Sequence, residues 1–454
     1  MTQHTEHRSR TERLDELPFT AEHRRLVIGS GVGWALDALD VGLISFVIAQ
    51  LTVQWRLSAG ESSLIVLIGF VGMAIGATVG GLLADRLGRR QVFALTLLAY
   101  GAFTGLSALA WSVAALVVFR FFVGLGLGAE LPVASTLVSE FAPARIRGRV
   151  VVVLESFWAV GWTLSALIGF LVVPRGENGW RWALVLGAVP AVYAVFVRLR
   201  LPESVRFLQS KGREDEAEAV VRRFEDAAGG RRMAGGTTAE PPTEATGAGT
   251  SPDATSNRVA ALFAAPLRRR TVAIWAVWFL VNFSYYGAFI WLPSVLYASG
   301  FSLVRSFGYT LIITLAQLPG YAASAILVER WGRRRTLAVF LVGSAVAAAL
   351  FAGAGSTATV LTAGMLLSFF NLGAWGALYA VTPELYPTPL RGTGAGWAAG
   401  VGRIASVVAP LSVPWLRQVG GTGLLFTVFA AVFGLAALVS LALPELQGRA
   451  LADR

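Results

Sequence analysis

Twelve stretches of about twenty predominantly apolar residues, each long enough to cross the hydrocarbon layer of a membrane, divide this chain. They fall at residues 26–51, 63–84, 91–110, 114–137, 150–173, 182–199, 271–298, 307–328, 336–352, 360–380, 396–415 and 424–443. Inside a bilayer no water is available to backbone N–H and C=O groups, so segments of this kind are expected to be helices. With 55% of its residues hydrophobic and 14% charged, the chain also has more apolar surface than a soluble core could bury. The expected fold is an all-α membrane protein of twelve transmembrane helices.

A net charge of +11 raises the question of a nucleic-acid partner, and the position of the charges answers it. Of the 38 lysines and arginines, 31 lie in the N-terminus, the loops after even-numbered stretches and the C-terminus, and 5 lie in the loops after odd-numbered ones. That asymmetry follows the positive-inside rule and predicts that both termini are cytoplasmic, with the lipid bilayer as the partner and no nucleic acid. The first two dozen residues are polar and show no cleavable signal, so the first helix is expected to direct insertion. There are no cysteines, and His4, His7 and His23 all precede the first apolar stretch. Thiolate chemistry is thereby excluded, and no histidine-based metal site, cofactor or acid/base centre is expected in the membrane.

The chain repeats itself. GLLADRLGRR (81–90) returns as AILVERWGRRR (325–335), and SEFAPARIRGR (139–149) as PELYPTPLRGT (383–393). Asp85 and Glu329, Glu140 and Glu384, and Arg147 and Arg391 are each 244 residues apart. The predicted organisation is a cytoplasmic segment 1–25, a six-helix bundle 26–199, a cytoplasmic loop 200–270, a second six-helix bundle 271–443 and a tail 444–454. Within the loop, Ala217, Val220, Val221 and Phe224 recur at helical spacing and predict a short amphipathic helix, followed by a polar, Gly- and Thr-rich linker over 229–257. Two repeated six-helix bundles are what a carrier that rocks one half against the other around a midplane site requires.

On these motifs the sequence resembles the major facilitator superfamily over residues 26–445, since G-x-L-A-D-R-x-G-R-R after the second helix is that superfamily's signature. The resemblance implies a cytoplasmic gate built from Asp85, Arg86, Gly88, Arg89, Arg90, Glu140, Arg145 and Arg147, and again from Glu329, Arg330, Gly332, Arg333, Glu384 and Arg391. A carboxylate at 85 can accept from a helix N-terminus or pair with Arg145 or Arg147, and Glu155 in the fifth helix can join the same cluster or relay a proton. PESVRFL (202–208) is similar to the sugar-porter branch. GAELPVASTLVSEFAPARIRGR (128–149) and FFNLGAWGALYAVTPELYPTPLRGTG (369–394) are similar to bacterial niacin-type and aromatic-acid:proton symporters. The fifth helix, SFWAVGWTLSALIG, lacks the Gly-Pro pair usual in drug-efflux antiporters.

Ionisable residues within the membrane are costly and are the first candidates for function. Asp37 and Asp40 lie one turn apart on the first helix. Two neighbouring carboxylates in a low dielectric are each harder to ionise, so they and Glu130 are the expected proton carriers. Arg120 in the fourth helix can bind a substrate carboxylate or neutralise Asp37 or Asp40, and Arg403 in the eleventh is a second anion contact. Asn282, Tyr285, Tyr286, Gln317, Asn371, Trp375 and Tyr379 are candidates to line the cavity.

Proton-coupled uptake of a small organic acid, an aromatic monocarboxylate of the niacin kind, is the leading expectation, by a chain that acts as a monomer. A sugar or polyol symporter and a non-transporting receptor of the same fold are the alternatives. ATP-driven transport within this chain is excluded, because the only lysine, Lys211, follows Ser210 rather than the glycine of a phosphate-binding loop. An enzyme is not expected, since no nucleophile-base or metal constellation is present.

Overall fold

The computed structural model describes residues 9–229, 259–265, 267–387 and 390–445, with the side chains of Asp85, Leu131, Pro132, Ala144 and Arg391 outside that description. The linker expected at 229–257 lies almost wholly outside the described residues. The first half comprises α1 (Arg10–Glu16), α2 (Ala21–Gln54), α3 (Ala59–Leu87), α4 (Arg89–Ser107), α5 (Val113–Phe141), α6 (Arg147–Leu171), α7 (Gly179–Leu186) and α8 (Val189–Arg200). Two short helices follow, α9 (Val205–Ser210) and α10 (Glu214–Ala227). The second half comprises α11 (Arg268–Phe289), α12 (Leu292–Ala298), α13 (Leu303–Leu315), α14 (Gln317–Trp331), α15 (Arg333–Ala352), α16 (Thr357–Glu384) and α17 (Arg391–Ser440).

The spans α7–α8, α11–α12 and α13–α14 are each broken once, and α17 is two spans joined at a kink where Gly420 and Gly421 leave helical geometry. Each half therefore has six spans. Among the described residues, ten helices are long and apolar enough to cross a membrane by length and composition alone, because α17 counts once and α4 is too polar. Beyond its first turn, the polar residues Thr96, Tyr100, Thr104 and Ser107 of α4 are buried in the bundle. Side-chain caps at Thr20, Ser58, Ser112, Ser302 and Ser356 start five helices by accepting from exposed backbone N–H groups. The Thr20 and His23 capping box begins α2 at Ala21, so His23 belongs to the first membrane helix rather than preceding it.

Within the first half, α3 and α5 touch backbone to backbone. A Cβ at Gly76 would stand 2.1 Å from the carbonyl oxygen of Leu125, one at Gly124 2.1 Å from that of Gly69, and one at Gly128 1.9 Å from that of Met73. Only glycine permits that approach.

The face that carries the termini is built twice. Gly88 (φ 101°) and Gly332 (φ 94°) turn the chain tightly into α4 and α15. Glu203 accepts from the backbone N–H of Arg90 (3.1 Å), and Glu445 from those of Arg333 (3.2 Å) and Arg335 (3.3 Å), so each carboxylate sits on a helix N-terminus. Arg90 donates to the carbonyl of Leu201 and Arg334 to that of Leu443, both at 3.3 Å. Beside this scaffold, α10 buries Ala217, Val221 and Phe224, with Phe224 stacked on Phe141. α1 is bound to α10 by Arg10 with Glu214 and Glu218, and by Arg13 with Glu218 (3.0 Å) and Glu225 (2.7 Å).

Candidate transport site

Burial and pairing sort the intramembrane charges, and the sorting differs from residue to residue. Asp40 is saturated: Arg120 Nη1 donates to it at 2.8 Å and Thr104 Oγ1 at 2.6 Å. All three side chains come from the first half, on α2, α5 and α4. Beside Arg120 lies a void of about 20 Å³, lined also by Val41, Ile44, Phe70 and Ile290. That is room for a water molecule and no more. Asp37 is completely buried, and neither of its carboxylate oxygens receives a hydrogen bond; the same holds for Glu130. Gly33 makes room for Glu130, since a Cβ there would stand 3.1 Å from Glu130 Oε1.

Arg403 reaches this region from the second half. Its Nη1 donates to the hydroxyl of Tyr286 at 3.4 Å, and Asp37 and Glu155 lie within its electrostatic reach. Glu155 is buried on α6, which packs against the second half, and lies within the electrostatic reach of Arg403.

Tyr286, the ring that Arg403 meets, belongs to an aromatic cluster. Tyr285 contacts Tyr286 (5.1 Å between centroids) and Trp375 (5.6 Å), and Trp375 stacks on Tyr379 (5.7 Å). The hydroxyl of Tyr285 accepts from Trp158 Nε1 across the halves at 2.9 Å. Among the polar groups of the second half that are buried without partners are the side-chain amides of Gln317 and Asn371 and the indole N–H of Trp375. Asn282 is not among them. Its amide donates to the carbonyl of Trp278 and accepts from Ser406, which fixes it in the packing of α11 against α17.

At the terminal face the pairings are specific. Arg89 lies 3.7 Å from Glu140 and Arg333 lies 3.1 Å from Glu384, so the repeated residues repeat their contacts. Glu140 also accepts from Ser204. Glu329 accepts both donors of Arg149, at 3.0 and 2.8 Å, and so links the two halves. Arg147 pairs with Asp15 of α1, while Arg145 and Arg86 are exposed. The side chains of Asp85 and Arg391 lie outside the described residues. The sequence reading missed Thr104, Trp158, Glu203 and Glu445. The last two had a signal: Leu-Pro-Glu occurs at 201–203 and again at 443–445, 242 residues apart and so out of step with the other repeats.

Two six-span halves around buried charges, joined across the middle by aromatic contacts, are the architecture of a major facilitator transporter. The chain belongs to the family described as "Sugar (and other) transporter", whose model matches residues 26–453. It is 44% identical to the niacin transporter NiaP of Acinetobacter baylyi over 443 residues, covering 97% of this chain and 98% of that one. It is also 44% identical to the putative niacin/nicotinamide transporter NiaP of Bacillus subtilis, covering 94% and 96%. The synaptic vesicle 2-related protein of Xenopus laevis is 29% identical, covering 94% of this chain and 79% of that one. The fold is similar to the xylose transporter XylE of E. coli in a partially occluded inward-open conformation, with a TM-score of 0.75 at 18% identity, covering 95% of this chain and 100% of that one. The chain is therefore an integral membrane transporter and not an enzyme.

Proposed function

We propose that this transporter carries a small aromatic monocarboxylate of the nicotinate kind together with a proton, by alternating access across the cytoplasmic membrane of a bacterium, with its terminal face in the cytoplasm. The observation that carries the reading is Arg403, a half-buried cation held by one long hydrogen bond to Tyr286, a ring that continues through Tyr285 and Trp375 to Tyr379. A planar guanidinium presents two parallel donors to a carboxylate. The neighbouring rings offer flat apolar faces to a pyridine ring, and the unpartnered amides of Gln317 and Asn371 offer donors to its nitrogen. The two relatives named as niacin transporters support the same substrate class. Arg120, closed off by Asp40, serves as a fixed counter-charge.

The two unpartnered amides also favour a second reading, a sugar or polyol symporter, because amides bind hydroxyls well. Transport into proteoliposomes separates the readings. With an alkaline interior, labelled nicotinate is expected to accumulate, a protonophore to abolish the accumulation, and excess xylose to leave it unchanged. Inhibition by xylose, or vesicles that move no nicotinate, would sink the assignment. Orientation is tested in the naturally cysteine-free background: a cysteine at Ser302 is expected to react with an impermeant reagent from outside, and one at Ser210 only after permeabilisation.

A further inference from the structure

The first described helix lies across the terminal face of the first half. α1 spans 7 residues (Arg10–Glu16), too few to hold a helix in water without support, so it is ordered by what it touches. A capping box of Ser9 and Glu12 starts it, and Leu14 is buried beneath it. Arg10 and Arg13, one turn apart, meet one face of α10: Arg10 pairs with Glu214 and Glu218, and Arg13 with Glu218 and Glu225. α10 is itself fixed to the membrane helices, by Phe224 stacked on Phe141 of α5 and by Arg223 with Glu22 of α2. At its other end α1 gives Asp15 to Arg147, in the first turn of α6.

That first turn needs an outside partner. α6 begins at Ile146 without a side-chain cap, and it carries two cations, Arg147 and Arg149, at the positive end of its own dipole. Arg149 reaches across the halves, where its Nε and Nη2 donate to Glu329 of α14 at 3.0 and 2.8 Å. The two side chains of that pair are 68% and 44% exposed, so water competes for it. Its strength then depends on how well the arginine is held in place before the pair forms. Asp15 supplies that hold. Bound to Arg147 two residues away, it neutralises the other cation of the turn and fixes the backbone from which Arg149 extends.

We propose that Asp15 is a positioning residue for the cross-half pair of Arg149 and Glu329, and that α1 works as a strap. Docked, it holds the first turn of α6 ready for Glu329; undocked, it unfolds and the pair loosens. The strap binds only the first half, so it travels with that half as the two rock and need not detach in each cycle. Its contacts are partly exposed ion pairs, which ionic strength weakens. The balance between the two open states is thereby adjusted from the terminal face, at a distance from the transport site and whatever molecule is carried.

The test uses the purified full chain in detergent and needs no substrate, so it stands apart from the nicotinate reading. Ser63 is buried near the start of α3, on the face opposite the termini, and its hydroxyl donates to the carbonyl of Pro410 in the second half. In the cysteine-free background, Ser63→Cys reports opening of that face by its rate of reaction with a thiol reagent. Weakening the pair on the terminal face favours opening there and keeps the opposite face shut. Asp15→Asn is therefore expected to slow the labelling about two- to fivefold, the range that an exposed ion pair spans, and Asp15→Glu to leave it unchanged. Glu329→Gln should slow it at least as much. Asp15→Asn combined with Glu329→Gln should slow it no further than Glu329→Gln alone, because both act on one contact. Labelling of Asp15→Asn at the original rate overturns the proposal, as does a Glu329→Gln variant that labels normally, or a combined variant in which the two effects add in full.

Discussion

At the terminal face the two halves are built alike. Gly88 and Gly332 make the same left-handed turn, Glu203 and Glu445 cap the following helix, and Arg89 and Arg333 reach Glu140 and Glu384. At the midplane the likeness ends. The first half brings Asp37, Asp40, Glu130 and Glu155 with Arg120; the second brings Arg403 among tyrosines, tryptophans and unpartnered amides. The duplicated ends share their turns, caps and ion pairs. The unlike middles divide the buried groups, with most of the acids on one side and a cation among flat rings on the other.

Four changes would break or sharpen that division. The largest effect is expected from Asp40→Ala, which leaves Arg120 buried and uncompensated; such a loss costs about 3–5 kcal/mol. Thermal denaturation in detergent should show it, and an unchanged melting temperature would mean that the pair is not the fixed element described here. Next comes Arg403→Lys, which keeps the charge but loses the fork. Nicotinate binding should weaken about tenfold to 100-fold, as expected for charge-assisted hydrogen bonds, while the neutral amide nicotinamide is less affected. Calorimetry that finds both ligands weakened equally would remove Arg403 as the reader of the carboxylate.

Smaller effects test the duplication. Glu203→Gln and Glu445→Gln each remove an anion from a helix N-terminus and should each cost about 1 kcal/mol or less. Clearly unequal losses would show that the ends are alike in geometry but not in energetics. The smallest effect concerns the ionic contact of α1 with α10. Burial works against the charge on Glu218, but hydrogen bonds from Arg13 and Arg10 prevail and bring its pKa down to about 2 from its ordinary value of 4.5. A depressed folded value means that the stabilisation is complete above the unfolded value and disappears as pH falls through the folded one. Hydrogen exchange over Arg10–Glu16 should therefore be insensitive to the state of Glu218 between pH 5 and pH 8, apart from the intrinsic chemical rate, and the helix should loosen only in stronger acid. Loosening near neutrality would point to a different anchor.

Much of the fold was legible because a span needs only a long apolar run, and because the gate motif occurs twice at one offset. The site was harder to read, since pairing is decided by helices distant in sequence. Nothing local distinguishes Asp37 from Asp40; Thr104 and Arg120 make the difference, and they arrive on α4 and α5. The sequence left Glu155 open between the cytoplasmic cluster and a proton relay, because its burial depends on how α6 packs against distant helices. Asn282 looked like a cavity amide, but its own helix supplies an acceptor at Trp278. Glu445 stayed hidden because its repeat is two residues out of register with the others.

The glycine contact between α3 and α5 has a mechanical side. Where side chains interdigitate, two helices can slide a little before either is forced to follow. Where a backbone carbonyl rests against a glycine, there is no such play. α3 touches the second half through Ser63, whose hydroxyl donates to the carbonyl of Pro410, and α5 carries Arg120. A push from α17 is thus delivered to the Asp40 pair with little lost motion, as through a lever with a tight pivot. The compliance of the molecule then has to reside at the broken spans and at the kink of Gly420 and Gly421.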